Sequence, residues 1–183
     1  HFGKRVTDYR DHKVIMKDGT EIPTRTFLWV SGIRANAMPG ISDDHQGRGF
    51  RFKVDQFNRI PGLDGVFAIG DHCLQTSDAA YPNGHPQVAQ VAIQQAKNLA
   101  KNLKKINEGQ DDSTLTAFKY NNLGSMATIG RNKAVVEIGK FRSQGFFAWI
   151  LWLVVHLRSI LGVKNKMMVL LNWLWKYVSY NDS

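Results

Sequence analysis

The chain reads as an α/β protein that ends in an amphipathic helical region, and three stretches say so. Val66-Phe67-Ala68-Ile69 runs straight into Gly70-Asp71, which predicts a strand buried on both faces and ending where backbone approaches something closely. After Pro86, apolar residues recur at Val88, Val91, Ala92, Leu99, Leu103 and Ile106, a helical period with one face inward. The tail beyond residue 145 is apolar, rich in tryptophan and basic.

The central strand and helix define a candidate site. A fourteen-residue, turn-rich loop is expected between them, from His72 to His85. Pro86 suits a first helical position, where its missing N–H costs nothing. Lys101, Lys104 and Lys105 favour the C-terminal end and Gly109 closes it. A strand tip carrying Asp71, set beside a helix N-terminus at Val88-Ala89, is a place to hold a polar cofactor. Asp71 read alone is equally an ordinary turn or cap residue.

Composition sets the outer bounds. With 183 residues, 43% of them hydrophobic, there is material for one good core and an appendage. The lone Cys73 rules out an intrachain disulfide and a cysteine metal cluster. Asp43-Asp44-His45 matches no recognised ligand spacing, so it reads as a solvated loop and no metal is expected. No signal peptide opens the chain, which begins at His1. No G-x-G-x-x-G occurs; Gly47-Arg48-Gly49 lacks the third glycine and a preceding apolar strand. No internal repeat or low-complexity stretch appears.

The remaining elements follow in order. Lys17-Asp18-Gly19-Thr20 predicts a hairpin turn between Val14-Ile15-Met16 and Glu21-Ile22. Phe27-Leu28-Trp29-Val30 predicts a buried core strand feeding Ser31-Gly32. Residues 33–50 are irregular, with Pro39-Gly40 as a turn. Arg51 to Asp55 alternates as a strand, and Pro61-Gly62 turns the chain into the run at Val66. A polar linker spans Asn107 to Thr116, and Gly130-Arg131-Asn132-Lys133 joins Ser125–Ile129 to Ala134–Ile138 in a hairpin.

Phe146 to Val155 is ten consecutive apolar residues, about 15 Å as a helix, roughly half a bilayer's hydrocarbon core. His156 and Arg158 are expected to stop it, so it is too short to cross. Val163 to Val178 carries Val163, Met167, Leu170, Leu174 and Val178 on one stripe, and Asn165, Asn172, Lys176 and Ser179 opposite. Four of the five tryptophans, Trp149, Trp152, Trp173 and Trp175, fall here. From Tyr120 onward eight Lys and Arg face two Asp and Glu, including Arg158, Lys164, Lys166 and Lys176, so most of the net +9 lies in this region. Apolar faces, indole rings and cations together are what an interfacial helix needs. A pair of core helices packed on the main domain is the other reading of this pattern.

The Gly70-Asp71 strand end, the Ala89-Gln90-x-Ala92-x-Gln94-Gln95 run and Gly124-Ser125-Met126-Ala127-x-Ile129-Gly130-Arg131 together resemble the type II NADH dehydrogenases, from about residue 14 to the end. The Gly-Asp pair is shared by all two-dinucleotide-domain flavoproteins, including sulfide:quinone and ferredoxin-type reductases; the glutamine helix argues for the type II enzymes. These are single-subunit, membrane-surface NADH:quinone oxidoreductases. The resemblance implies the C-terminal part of a two-dinucleotide-binding-domain flavoprotein with Rossmann-like pieces, followed by a membrane-anchoring helical region. It divides the chain into the end of an NADH-binding domain (1–32), the last part of an FAD-binding domain (33–109) and a membrane-association region (110–183). The phosphate-cradling glycine loops are then expected upstream, and the chain reads as a C-terminal fragment of a longer enzyme, inactive and poor in FAD on its own.

The same resemblance implies roles. Gly70, Asp71, Val88 and Ala89 would meet FAD, with backbone N–H groups of the helix start at the flavin's pyrimidine edge. Val88 stands where the family often has Thr, which removes a hydroxyl but no backbone donor. Ser31 and Gly32 would lie near the nicotinamide of NADH. Gln90 and Gln94, one turn apart on one face, would donate to quinone carbonyls; read alone they are solvated helix residues. His72, His85 and Lys133 are candidate proton donors among which the sequence does not choose, and Cys73 reads as a packing residue. Expected partners are quinone, the membrane surface, the upstream part of the enzyme and a second copy of the chain, at the cytoplasmic face of the inner (plasma) membrane. A non-catalytic basic module binding membrane or nucleic acid is the alternative, and nucleic acid is disfavoured because the cations form no dense stripe with sheet-borne aromatics.

Overall fold

The structure, a computed structural model, describes residues 3–36 and 38–179. It is an α/β fold of three small sheets and three α-helices. Strands β1 (Val6–Arg10), β2 (Lys13–Met16) and β3 (Glu21–Pro23) form an antiparallel meander. The expected turn at Lys17-Asp18-Gly19-Thr20 is there, with Asp18 Oδ1 accepting from Thr20 N at 3.0 Å.

The segment after β3 departs from expectation. Phe27–Val30 is no strand: Leu28 is 80% exposed and Val30 91%. An apolar run becomes a strand only where a neighbour offers a ladder, and none of the described residues does so here. Asp43–His45 is one tight turn, with Ser42 Oγ accepting from Asp44 N.

Strand β4 (Phe52–Val54) is where alternation placed it, its outer residues buried. Its partner is unexpected. The run Val66–Ile69 makes only an isolated bridge, Phe67 to Arg59, and the parallel neighbour of β4 is β5 (Cys73–Gln75), inside the stretch expected to be loop. Val66 and Ala68 spend backbone bonds on the preceding turn instead: Ile60 N donates to Val66 O and Ala68 N to Asn58 O, both at 3.0 Å. A run of four apolar residues and a three-residue alternation look alike without knowing which lies beside β4. Phe52, Val54, Ile60, Ala68 and Cys73 close one core.

Helix α1 spans Ala89–Asn107 with Val88 at its cap, so Pro86 lies ahead of the first helical position. It ends in a Schellman motif: Gly109, at φ +73°, donates to Ile106 O and Gln110 N to Lys105 O, each at 3.0 Å. The buried face is Val91, Gln95 and Asn102, whereas Val88, Leu103 and Ile106 are exposed. Polar residues take the inward stripe because the chain packed there presents backbone groups that need partners. Val91 joins Phe118, Tyr120 and Tyr81 in a second core.

Strands β6 (Ser125–Thr128) and β7 (Ala134–Ile138) form the expected hairpin, and β8 (Phe141–Gly145) adds an unexpected third strand. Its signal was the two-residue Gly139-Lys140 turn, with Gly139 at φ +57°. Helix α2 (Phe146–Ser159) packs Ala148 against Ala134 and Val136 to form the third core. It continues through His156 and Arg158 rather than stopping there, since cations are favoured in a last turn. Helix α3 (Val163–Ser179) lies against α2. Among the described residues no helix is long and apolar enough to cross a membrane.

Candidate cofactor site

Gly70, Asp71 and His72 form a single 3-10 turn between the Val66–Ile69 run and β5. The first half of α1 is pressed against this turn. A Cβ on Gly70 would stand 3.2 Å from the Ala92 Cβ, and Gly70 sits at φ +63°, so any larger residue is both crowded and strained. Gly70 N donates to Gln95 Oε1 at 2.7 Å, and Gln87 Nε2 donates to Asp71 O at 3.0 Å. Glycine is needed here for helix approach.

The turn leaves the Asp71 carboxylate exposed and without a hydrogen-bond partner among the described residues. Beside it, the α1 N-terminus has no side-chain cap and no acidic residue in its first turn. The N–H groups of Ala89 and Gln90 have no hydrogen-bond partner among the described residues, and the positive dipole end lies by the turn that carries the Asp71 carboxylate, whose charge acts on Arg51. That pairing fits a ligand with hydroxyl donors at one point and an electron-rich acceptor edge at another. His72 stacks on Phe52 with centroids 6.2 Å apart, its Nδ1 buried without a partner among the described residues.

Gln90 and Gln94 face the extended segment that leads into β6. Gln90 accepts from Leu123 N at 3.0 Å and donates to Gly124 O at 2.8 Å. Gln94 does the same for Asn121, accepting from its N at 3.0 Å and donating to its O at 2.9 Å. Asn102 repeats the pattern at Thr116, whose carbonyl also accepts from Asn98 Nδ2. Four amides at i, i+4, i+8 and i+12 thus grip residues 116–124 as a neighbouring strand would. The four-residue amide spacing was visible in the sequence; that it reads backbone was not. Each Gln90 and Gln94 amide keeps a second N–H.

A buried network that the sequence reading missed stands just ahead of α1. His85, 1% exposed, places Nε2 3.0 Å from Asp78 Oδ2, and the same carboxylate accepts from Tyr120 N and Ala80 N. The carboxylate partner fixes the Nε2–H tautomer and leaves Nδ1 without a partner among the described residues. The His85 hydrogen bond holds Asp78 below the usual carboxylate range. Arg51 ties the network to β5, donating from Nε to Cys73 O at 2.7 Å and from Nη2 to His85 O at 3.0 Å, and burial lowers its pKa. Burial pushes the Cys73 thiol up, so it stays protonated and unreactive.

The other predicted positions lie apart from this turn in chain and environment. Ser31 and Gly32 are in an exposed irregular segment, with Trp29 Nε1 donating to Ser31 O. Lys133 is in the β6–β7 turn. Trp149 stacks on Tyr177 across the α2–α3 pair and Trp152 meets Trp173, while Trp175 is 72% exposed. Arg158 closes α2, Lys164 and Lys166 open α3, and Lys176 is in its last turn.

Residues 1–96 match the family model for pyridine nucleotide-disulphide oxidoreductases, and the chain belongs to that family. Residues 122–179 match the family model for the NDH2 C-terminal domain. The chain is 35% identical, over 97% of its length, to the type II NADH:quinone oxidoreductase Ndh of Mycobacterium tuberculosis, covering 38% of that protein. It is 32% identical, again over 97% of its length, to the mitochondrial internal alternative NAD(P)H-ubiquinone oxidoreductase A1 of Arabidopsis thaliana, covering 37% of it. The chain therefore spans well under half of these relatives. In fold it resembles NDH2 from Plasmodium falciparum, solved with NADH, at a TM-score of 0.75, 16% identity, 95% of this chain and 50% of that one. The sulfide:quinone oxidoreductase of Aquifex aeolicus shares the fold at a TM-score of 0.57 and 16% identity, over 94% of this chain and 40% of that one.

Proposed function

We propose that this chain is the C-terminal part of a flavoprotein that passes electrons from NADH through FAD to a membrane quinone. The observation that carries the reading is the uncapped start of α1 beside the turn with the exposed Asp71 carboxylate, in a chain of this family. Asp71 would accept hydrogen bonds from ribityl or ribose hydroxyls. The backbone N–H groups of Ala89 and Gln90, set by Val88 at the cap, would face the flavin's pyrimidine edge, and Gly70 brings the helix in. FAD supplies hydride acceptance and onward electron transfer; the chain's own contribution is orientation and a positive dipole where negative charge collects.

Gln90 and Gln94 are the proposed quinone contacts. Each spends one N–H on the 121–124 backbone and keeps one for a quinone carbonyl. Ser31 and Gly32 are the proposed approach to the nicotinamide. In domain terms, 1–32 ends the NADH-binding domain, 33–109 completes the FAD-binding domain and 110–183 is the membrane region. The upstream part of the enzyme and a second copy of the chain are proposed partners.

The membrane reading rests on exposed apolar surface. Phe147 is 82% exposed, Leu161 86%, Val163 79% and Val178 78%, beside Trp175 and a set of cations. Lys164 and Lys166 stand in the first turn of α3, where the dipole disfavours cations, so an external anion is their natural counterpart. We place the chain peripherally, at the cytoplasmic face of the inner (plasma) membrane.

The test is stopped-flow spectroscopy of the enzyme that contains this chain. Asp71→Ala is expected to lose flavin, whereas Gln90→Ala should keep flavin and its reduction by NADH but slow reoxidation by quinone. A bound flavin that NADH does not reduce would overturn the reading.

A further inference from the structure

Between α2 and α3 runs a groove of about 940 Å³. Trp149, Leu153 and Leu157 line one side and Leu170, Trp173 and Leu174 the other. Two aromatic contacts cross between the helices, Trp149 with Tyr177 at 6.1 Å and Trp152 with Trp173 at 6.0 Å. Where α3 ends, the β6–β7 turn closes over the groove. Arg131 donates to Tyr177 O at 3.1 Å and lies 5.7 Å from that ring's centre, and Asn132 presents a buried Oδ1 with no partner among the described residues. Among the described residues, Arg131 and Lys176 are the two charged ones lining the groove, and none of these lining residues is acidic.

We propose that this groove holds one acyl chain of an anionic membrane phospholipid, its phosphate beside Lys176. The walls are aliphatic and indole, which suits a hydrocarbon chain. Lys176 places a positive charge on the rim where a headgroup would emerge, which favours an anion. The proposal rests on the membrane reading above and adds to it a specific seat for one lipid, as distinct from a face that floats on the headgroups.

Decyl phosphate below its micelle concentration tests it, read by tryptophan fluorescence on the full chain. The expected result is saturable binding of one molecule, about fivefold tighter than decyltrimethylammonium, the preference lost in Lys176→Glu. Leu170→Trp, which fills the groove, should abolish binding of both amphiphiles, with an unchanged circular dichroism spectrum confirming the fold. Equal affinity for the two headgroups, or non-saturable partitioning, overturns the proposal. So does a concentration-dependent dimer that Leu170→Trp removes, which would make a second copy the occupant. Co-sedimentation with phosphatidylcholine vesicles, with and without phosphatidylglycerol, separates the two readings. Vesicle binding without decyl phosphate binding sinks the groove and leaves the membrane reading; decyl phosphate binding without vesicle binding removes the membrane as the source and overturns both.

Discussion

Gln95 Oε1 accepts a hydrogen bond from Gly70 N at 2.7 Å, and the same side chain donates from Nε2 to Cys73 Sγ at 3.3 Å. One buried glutamine therefore fixes α1 against the turn that presents Asp71 and against the start of β5. Replacing it with leucine would keep the volume but leave a buried backbone N–H unpaired. A loss of about 1–3 kcal/mol is expected, measured as a lower midpoint in urea unfolding. An unchanged midpoint would mean that water or a rotated neighbour satisfies Gly70.

Gly70→Ala attacks the same contact from the other side. The added methyl meets Ala92 and the residue must hold φ +63°. The backbone conformation alone costs about 1–2 kcal/mol, so a lower thermal midpoint is expected, together with weaker flavin retention in the flavin-containing enzyme. A variant as stable as the parent would show that α1 can slide.

Asp78 makes stability depend on acidity. Its carboxyl is held below the ordinary 3.8 chiefly by His85, so the unfolded chain binds the proton more readily than the folded one. Its contribution is complete above the unfolded value and is lost as pH falls through the folded one. Chemical unfolding between pH 5 and about pH 3 should show a falling midpoint, and Asp78→Asn should flatten that fall while lowering stability at pH 7. A parallel decline in both proteins would assign the acid limb to exposed pairs such as Arg59–Asp112 instead.

The amide ladder can be tested by substitution. Asn102, 1% exposed, bonds both backbone groups of Thr116. Asn102→Ala should cost about 1–3 kcal/mol, and Asn102→Asp no less, because it keeps the acceptor for Thr116 N but buries a carboxylate whose second oxygen faces Thr116 O. Hydrogen exchange at Thr116 would resolve the two, with protection retained only in the aspartate variant.

Removing residues 145–183 tests the membrane reading directly. Vesicle co-sedimentation of the full chain is expected, and loss of it on truncation. Equal binding by both forms would return α2 and α3 to the role of core helices.

Much of this was legible in the residues. Val91 at helical spacing, the alternation of Phe52 and Val54, and the Asp18-Gly19 and Gly130–Lys133 turns each carry a local signal that tertiary context did not overrule. The paired family motifs at Gly70-Asp71 and Ala89–Gln95 were enough to name the class that the comparisons support.

Other features depend on partners distant in sequence. Val66–Ile69 and Cys73–Gln75 are both competent strands, and only the packing of Asn58 and Ile60 against the first leaves β4 free for the second. Leu103 and Ile106 keep an apolar period yet face solvent, because the chain lying on α1 presents backbone and calls for Gln94, Asn98 and Asn102 there. His85 finds Asp78 and Tyr120 only once three segments converge. Periodicity fixes which face of an element is apolar; the hydrogen-bonding demand of whatever packs on it decides which face is buried.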